Sequence, residues 1–259
     1  LVKVGPRLYA KLETVNPTGS IKDRVVKYVV ERAIESGALN EDSIMVEATS
    51  GNTGIALAAI GASLNIPVKI VMPKNMSVER RQMMRMYGAE IIDAPDSDFE
   101  AAIKKRNEMI EAGCWSPMQF ENHLNIECHK TTTAREILEQ LPSSTRFSAF
   151  ISGAGTGGTI MGVREAFIDH GLSTHVCMVK PYEPSHIHGI QGISDGSNFL
   201  AIPELFDTIL PVRTRDAKLR ALKFAKTHGV LIGVSAGANL IAAETYIKRF
   251  NPRGSVVTI

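Results

Sequence analysis

Short apolar, β-branched segments alternate along the chain with longer segments whose apolar residues recur at helical spacing. The pattern predicts strands at residues 8–12, 44–48, 68–72, 90–93, 147–152, 176–179, 208–212, 230–234 and 256–259. It predicts helices at residues 20–36, 53–64, 78–87, 99–112, 126–140, 158–170, 216–228 and 236–250. Because strands that alternate with helices form βαβ units, we predict an α/β fold with mainly parallel sheets.

Composition and charge narrow the class of protein and of partner. The 259 residues are 44% hydrophobic and 22% charged with a net charge of +2, as expected for a soluble globular protein. The densest basic run, Lys-Lys-Arg at 104–106, lies among glutamates and is interpreted as a solvated helix face. We therefore predict no nucleic-acid partner and no membrane partner.

The number and spacing of the cysteines, and the residues at the two chain ends, indicate the cellular compartment in which we expect the protein. Three widely spaced cysteines without a CxxC pair favour reduced thiols and a cytoplasmic protein. The sequence has no apolar run long enough to span a bilayer and no signal-peptide pattern at its start. It begins and stops in strand-like segments, and we expect further residues at both ends.

The segment 16–24, Asn-Pro-Thr-Gly-Ser-Ile-Lys-Asp-Arg, joins a turn to a helix that Ser20 can cap. It puts Lys22 in the first helical turn, where the positive end of the helix dipole disfavours an ammonium. Burial would lower the pKa of this lysine further, and lysines with a lowered pKa form Schiff bases. For the residue taken alone, the alternative is a surface lysine at a frayed helix start.

A glycine-rich turn, Gly-Ala-Gly-Thr-Gly-Gly-Thr at 153–159, follows a predicted strand and precedes a helix. Glycines let backbone amides point at an anion, and the helix N-terminus adds a favourable dipole. The turn lacks the later acidic residue of a dinucleotide site and the lysine of a P-loop. It therefore favours a small phosphate monoester, with a tight turn that binds no ligand as the alternative.

Two further strand–helix turns carry polar groups. The turn 49–53, Thr-Ser-Gly-Asn-Thr, offers groups that suit a carboxylate, although Asn52 is also a good helix cap. The segment 233–237, Gly-Val-Ser-Ala-Gly, has the GxSxG pattern of a serine-hydrolase nucleophile elbow. That fold needs an acid and a histidine later in the chain, and no Asp or His follows Ser235. The hydrolase hypothesis fails on chain order unless residues beyond this sequence supply both.

Together these features match the groups of one cofactor. Pyridoxal 5′-phosphate has an aldehyde for Lys22, a phosphate for the glycine-rich turn and a ring nitrogen for Ser235. No other common cofactor needs all three, so the sequence favours pyridoxal 5′-phosphate.

These motifs resemble those of the cysteine synthase (O-acetylserine sulfhydrylase) and cystathionine β-synthase branch of the fold-type II pyridoxal-phosphate enzymes, over essentially the whole chain. The resemblance implies that Lys22 forms the imine with the cofactor and that Asn52 bonds its 3′-oxygen. It assigns Ser235 to the pyridine nitrogen. Implied phosphate ligands are Gly155, Thr156, Gly157, Gly158 and Thr159. Implied ligands of the substrate carboxylate are Thr49, Ser50, Gly51, Thr53 and Gln119.

The resemblance also implies a reaction in sulfur metabolism and amino-acid biosynthesis. Such an enzyme replaces the β-substituent of an O-activated serine such as O-acetylserine with sulfide, through an aminoacrylate, and so makes L-cysteine. Lys22, once freed, lies within reach of the α-proton. A neutral hydroxyl at the ring nitrogen makes the ring a weaker electron sink, which favours β-elimination over transamination.

One departure from the family leaves the activity open. The segment 192–196, Gly-Ile-Ser-Asp-Gly, stands where many cysteine synthases have Gly-Ile-Gly-Ala-Gly. Asp195 is either a turn-stabilising residue or a general base that activates water or positions a nucleophile. As a base it would give a cysteine lyase, which makes serine and hydrogen sulfide, or a cystathionine β-synthase-like enzyme. A non-catalytic regulatory homologue that binds a partner's tail is a further alternative.

The histidines suggest no metal site. His123, Cys128 and His129 cluster in the sequence, but their spacing matches no usual metal site, and no metal is predicted.

The resemblance finally implies an architecture and partners. We expect two three-layer α/β domains with the cofactor in the cleft between them, as in the β subunit of tryptophan synthase. We predict a smaller mobile domain over residues 13–125 and a larger cofactor-phosphate domain over 1–12 and 126–259. Besides the amino-acid substrate and sulfide, the resemblance implies a homodimer and possible binding of a serine acetyltransferase tail.

Overall fold

The computed structural model describes residues 1–142, 146–182 and 202–259, and within them the chain forms two compact units. The continuous unit is Val15–Asn122, and the two-segment unit combines Leu1–Thr14 with His123–Ile259. The domain boundaries and the mobility expected from the sequence stay a prediction.

The helices and strands confirm the predicted α/β alternation. The strands of the described residues are β1 (Val2–Lys3), β2 (Leu8–Ala10), β3 (Met45–Ala48), β4 (Val68–Pro73), β5 (Glu90–Ala94), β6 (Phe147–Gly153), β7 (His175–Pro181), β8 (Thr208–Val212) and β9 (Ser255–Thr258). The α-helices are α1 (Lys22–Glu35), α2 (Asn52–Leu64), α3 (Val78–Met86), α4 (Phe99–Glu111), α5 (Leu124–Cys128), α6 (Arg135–Gln140), α7 (Gly158–Asp169), α8 (Thr214–His228) and α9 (Val234–Phe250). A π-helical turn, His129–Ala134, joins α5 to α6, and a 3-10 turn spans Pro203–Leu205.

The continuous unit is built on a parallel sheet with the strand order β3-β4-β5. Successive residues of a strand face opposite sides of a sheet. In β3, Met45 accordingly shares one core with α1 and α2, whereas Val46 shares another with Ala102 of α4. The unit therefore has three layers, with helices on both faces of its sheet. The carboxyl end of β3 leads directly into α2, across the predicted carboxylate turn.

The two-segment unit is built on a sheet with the order β1-β2-β9-β6-β7-β8, parallel except for the antiparallel edge strand β1. Its central strand β6 again separates two cores: Ile151 packs with residues of α8 and α9, and Phe150 with residues of α6 and α7. This unit is also three-layered. Strand β9 lies between β2 and β6, pairing Val256 with Leu8 on one side and Ala149 on the other.

Two predicted elements are wrong. Residues 230–234 form no strand: α9 already begins at Val234, and Val230 and Ile232 contact the core through their side chains. The predicted helix 126–140 is interrupted by the π-helical turn, against which Gly162 of α7 packs closely. A β-carbon on Gly162 would lie 2.8 Å from the β-carbon of His129 and 2.8 Å from the backbone nitrogen of Lys130, both in that turn.

No helix within the described ranges combines the length and the apolar character needed to cross a bilayer.

The three thiols are expected to differ in reactivity. Cys128 and Cys177 are buried and Cys114 is partly exposed, and all three are free. Burial raises the pKa of the Cys177 thiol to about 12, so that its reactive thiolate is scarce. We expect an aromatic disulfide reagent to modify Cys114 alone in the folded protein and all three thiols after denaturation. Fast modification of a thiol in folded Cys114→Ser protein would contradict this ranking.

Candidate active site

Lys22 is the first residue of α1 and is partly buried. The turn before it is fastened to the helix, since Ser20 Oγ accepts a hydrogen bond from the Lys22 backbone N–H at 3.2 Å. The Asp23 carboxylate accepts one from the Thr18 backbone N–H at 2.7 Å. Ile21 is the N-cap residue and makes no side-chain capping bond. The hydroxyl of Ser20, one residue earlier, supplies the predicted contact, because it bonds to the first N–H of the helix.

Burial lowers the pKa of the Lys22 ammonium. Among the described residues, none forms a hydrogen bond or an ion pair with its Nζ atom. A lysine with a lowered pKa and no described counter-ion is a good nucleophile toward an aldehyde, because more of it is in the neutral form. These observations fit the imine role implied for Lys22.

The turn 49–53 connects β3 to α2. Thr49 and Thr53 are buried, and Thr49 Oγ1 accepts a hydrogen bond from the Gly51 N–H at 3.3 Å. Gly51 is the N-cap residue and Asn52 the exposed first residue of the helix, so the interpretation of Asn52 as a cap is wrong. Its side-chain amide makes no hydrogen bond to any described group, which fits a role toward a ligand.

Gln119 joins this turn from a segment far along the chain. Its side chain is buried, and its Oε1 accepts a hydrogen bond from Thr53 Oγ1 at 2.6 Å. Two groups predicted to bind the substrate carboxylate are thus in direct contact. Arg80 of α3, which sequence reasoning did not assign to the site, donates from Nη1 to the Ser50 carbonyl oxygen at 3.2 Å. It therefore fixes the turn and places positive charge beside it.

The interpretation of residues 104–106 as a solvated face is wrong for Arg106. This side chain is 1% exposed and forms an ion pair at 3.3 Å with Glu47 of β3, which is fully buried. The partner is 59 residues away in sequence, so the local run of glutamates could not reveal it.

The glycine-rich turn leads from β6 into α7 in the two-segment unit. Gly157 is the N-cap residue, with a φ of +90° that residues with a β-carbon rarely adopt. Within the described part of the chain, the backbone N–H groups of Gly155, Thr156 and Gly157 donate to no other group. A β-carbon on Gly155 would meet open space. Free amides beside open space at a helix N-terminus fit a phosphate.

Buried side chains hold this turn. Asn125 Nδ2 donates to Thr156 Oγ1 at 3.0 Å, and the Gly158 N–H donates to the same hydroxyl at 3.3 Å. His129 Nε2 lies 3.1 Å from Thr159 Oγ1, and its other ring nitrogen lies 2.9 Å from Thr133 Oγ1. His129 therefore orders the turn. The described ranges contain no group of three or more His, Cys, Asp or Glu side chains arranged to hold a metal ion.

Ser235 lies partly buried in the first turn of α9. Since residues 230–233 are not a strand, the strand–turn–helix context of a nucleophile elbow is missing, and this weakens the hydrolase hypothesis further. Asp195 and the rest of segment 192–196 lie outside the described residues.

The predicted site residues are divided between the two units. Lys22, the turn 49–53 and Gln119 lie in the continuous unit, and the turn 155–159 and Ser235 lie in the two-segment unit. The continuous unit offers a lysine with a lowered pKa and a polar turn at a helix start. The two-segment unit offers a glycine-rich turn at a helix start and a neutral hydroxyl. The donors are those that pyridoxal phosphate and an amino-acid carboxylate need.

Comparisons with known proteins place these features in a family. The profile of a family described as pyridoxal-phosphate dependent enzymes matches residues 2–259. A cysteine synthase B from Campylobacter jejuni is 38% identical over 96% of this chain and 86% of its own length.

Two solved structures are similar along nearly all of the chain. A hydrogen sulfide-producing enzyme from Fusobacterium nucleatum has a TM-score of 0.89 and 35% identity, covering 97% of this chain and 88% of its own. A cysteine synthase from Entamoeba histolytica has a TM-score of 0.87 and 34% identity, covering 100% of this chain and 79% of its own.

These comparisons confirm the resemblance, the fold class and the cofactor that the sequence predicts. The residues of both units fit that cofactor on their own chemistry. The chain therefore belongs to the pyridoxal-phosphate dependent enzymes of the cysteine synthase type.

Proposed function

We propose that this protein is an O-acetylserine sulfhydrylase, which makes L-cysteine and acetate from O-acetylserine and sulfide. In this replacement the bond from the β-carbon to the acetate oxygen breaks, and a bond from the same carbon to sulfur forms. The observation that carries the proposal is the contact between Thr53 and Gln119 at 2.6 Å. It gathers hydroxyl and amide groups at a helix start, which suits a small carboxylate.

Each group of predicted site residues has its own role in the proposed reaction. When bound, pyridoxal phosphate supplies an electron sink that stabilises negative charge at the substrate α-carbon. Lys22 would hold the cofactor through its Nζ atom, and the same atom would accept the α-proton of the substrate. Residues 155–159 would hold the phosphate, and the Ser235 hydroxyl would face the ring nitrogen without a formal charge. Asn52 would bind the cofactor oxygen, and the rest of its turn would bind the substrate carboxylate together with Gln119.

The proposed activity is tested by incubating the holoenzyme with O-acetylserine and sulfide and identifying products by mass. We expect L-cysteine and acetate in equal amounts. Gln119→Ala should raise the KM for O-acetylserine by about tenfold, since it removes a partner of the substrate carboxylate. The control is Gln82→Ala, an exposed glutamine of α3 in the same unit. No cysteine from the wild-type enzyme, or equal KM values for both variants, would contradict the proposal.

A second candidate activity is favoured by the similarity to the Fusobacterium hydrogen sulfide-producing enzyme. In that reaction cysteine and water give serine and hydrogen sulfide. The bond from the β-carbon to sulfur breaks, the water oxygen bonds to the β-carbon, and the proton that water loses ends on the sulfide. Asp195 is the proposed base. The assay is cysteine alone, followed by sulfide release. If kcat/KM for cysteine exceeds that for O-acetylserine with sulfide, and Asp195→Asn removes the difference, the lyase is the main activity.

We further propose a cytoplasmic homodimer that binds the tail of a serine acetyltransferase, because the resemblance of the site motifs to those of cysteine synthases implies both kinds of partner. Sedimentation of the holoenzyme decides the oligomeric state. Titration of the holoenzyme with C-terminal peptides of serine acetyltransferase measures binding of the partner. We expect O-acetylserine to compete with the peptide.

A further inference from the structure

The carboxylate of Glu47 bonds to two separate parts of the proposed substrate site. Its Oε1 accepts a hydrogen bond from the Ala48 N–H at 2.8 Å, and Ala48 immediately precedes the turn 49–53. Its Oε2 accepts one from the Gln119 N–H at 3.2 Å. One buried side chain therefore joins the base of the turn to the backbone of Gln119, whose own side chain meets Thr53.

Arg106 of α4 pairs with Glu47 and also with Glu121. Its Nη1 lies 3.3 Å from Glu47 Oε1, and its Nη2 lies 3.2 Å from Glu121 Oε1. Asn107 Oδ1 accepts from Nε and Nη2 of the same guanidinium, at 3.0 and 2.8 Å, and so fixes its plane. Since Glu47 binds the Gln119 N–H and Arg106 binds Glu121, the segment that carries Gln119 is held at two points.

A carboxylate is the group that this position needs. Burial raises the pKa of Glu47, while the Arg106 charge and the two backbone N–H groups oppose the rise. Two of these donors meet Oε1 and one meets Oε2, and each of them favours the ionised form. Because well-packed apolar residues often stabilise a fold as well as a buried ion pair does, stability alone does not account for this one.

We propose that Glu47, paired with Arg106, is a positioning residue that aligns Gln119 with the turn 49–53 and thereby sets the affinity for the substrate carboxylate. This inference rests on the proposed function. It concerns the amino-acid substrate and leaves attachment of the cofactor at Lys22 unaffected.

The test compares Glu47→Gln with wild-type holoenzyme. An amide in place of the carboxylate puts an NH2 group against at least one donor, so Gln119 shifts. A shift on the order of 1 Å costs up to about a hundredfold in transition-state affinity. We expect the KM for O-acetylserine to rise at least about tenfold while kcat changes less than about threefold. Hydrogen exchange, read by mass spectrometry, should become about tenfold faster in the peptide that contains Gln119.

Arg81→Gln is the matched control. Arg81 is a buried arginine of the same unit, paired with Asp93 at 2.6 Å and with the Pro73 carbonyl oxygen at 2.9 Å. The control removes an ion pair of the same unit whose carboxylate, on Asp93, is 47% exposed. Among the described residues, the bonds of Arg81 go to Asp93 and Pro73 and to neither the turn 49–53 nor Gln119, so its KM and its exchange at Gln119 should stay at the wild-type values. Equal effects in both variants, or unchanged KM and exchange in Glu47→Gln, overturn the inference.

Two outcomes need a further variant or measurement: Glu47→Gln does not fold, or the wild-type enzyme does not turn over O-acetylserine. If Glu47→Gln does not fold, the double variant Glu47→Gln/Arg106→Gln removes both charges and restores folding. It should keep the raised KM and the fast exchange, and wild-type values in it would overturn the inference. If the wild-type enzyme does not turn over O-acetylserine, the proposed function fails. Hydrogen exchange at Gln119 then still decides whether Glu47 positions it.

Discussion

Lys22→Ala is expected to lower kcat with O-acetylserine and sulfide by at least about a thousandfold, since a covalent attachment and a proton carrier are lost together. Because burial lowers the pKa of Lys22, its neutral amine is populated at a lower pH than that of an exposed lysine. Initial rates measure the loss. Borohydride reduction of the wild-type holoenzyme, followed by peptide mass spectrometry, should place the cofactor on Lys22.

Lys27→Ala is the control for this prediction. Lys27 lies on the same helix, with its side chain 70% exposed and 3.6 Å from Glu31. Its replacement should change kcat by less than about twofold, because exposed pairs of this kind contribute little. Retention of a tenth of wild-type activity in Lys22→Ala, or labelling of a different lysine, would show that the assignment is wrong.

Gly158→Ala is expected to weaken pyridoxal phosphate binding about 10- to 100-fold, the equivalent of an overpacking cost of a few kcal/mol. A β-carbon at this position would lie 2.0 Å from Asn125 Oδ1. Asn125 is 1% exposed and donates to Thr156 Oγ1, so it cannot move without disturbing the turn proposed to bind the phosphate. Titration of apoenzyme with pyridoxal phosphate, followed by absorbance, gives the dissociation constant.

Gly153→Ala separates this effect from a general cost of replacing glycine. There the β-carbon would approach Asn239 Oδ1 only to 3.5 Å, an ordinary contact, and binding should stay within about threefold of wild type. In the Gly158→Ala background, Asn125→Ala should recover part of the lost affinity by relieving the clash. Wild-type affinity in Gly158→Ala alone would mean that the turn does not receive the phosphate.

The strand–helix junctions could be predicted from the sequence because their signals are local. Gly157 and the turn 49–53 each stand where a β-branched segment gives way to helical spacing, Lys22 stands where a turn gives way to it, and the structure begins a helix at each place. Turn chemistry and helix starts depend on a few neighbouring residues, so a single sequence contains the information. The same holds for the three-layer architecture, which follows from alternating strands and helices.

The supporting contacts could not be predicted, because they join distant parts of the chain. Arg106 lies in a basic run whose neighbours suggest solvent, yet its partner Glu47 is on a strand 59 residues earlier. Asn125 and His129, which hold the phosphate turn, approach it from another helix and from the π-helical turn. Residues 230–234 have the composition of a strand, but no neighbouring strand offers hydrogen bonds to them among the described residues.

The pairing of β9 between β2 and β6 has a consequence for synthesis on the ribosome. The continuous unit holds all its strands within residues 15–122 and can complete its core as soon as they emerge. The two-segment unit pairs Leu8 with Val256, so β2 cannot pair with β9 until residue 256 has been translated. Such long-range pairing is slow to form and leaves strand edges exposed meanwhile. Nascent chains stalled before residue 255 should therefore be the form that chaperones bind and proteases cleave.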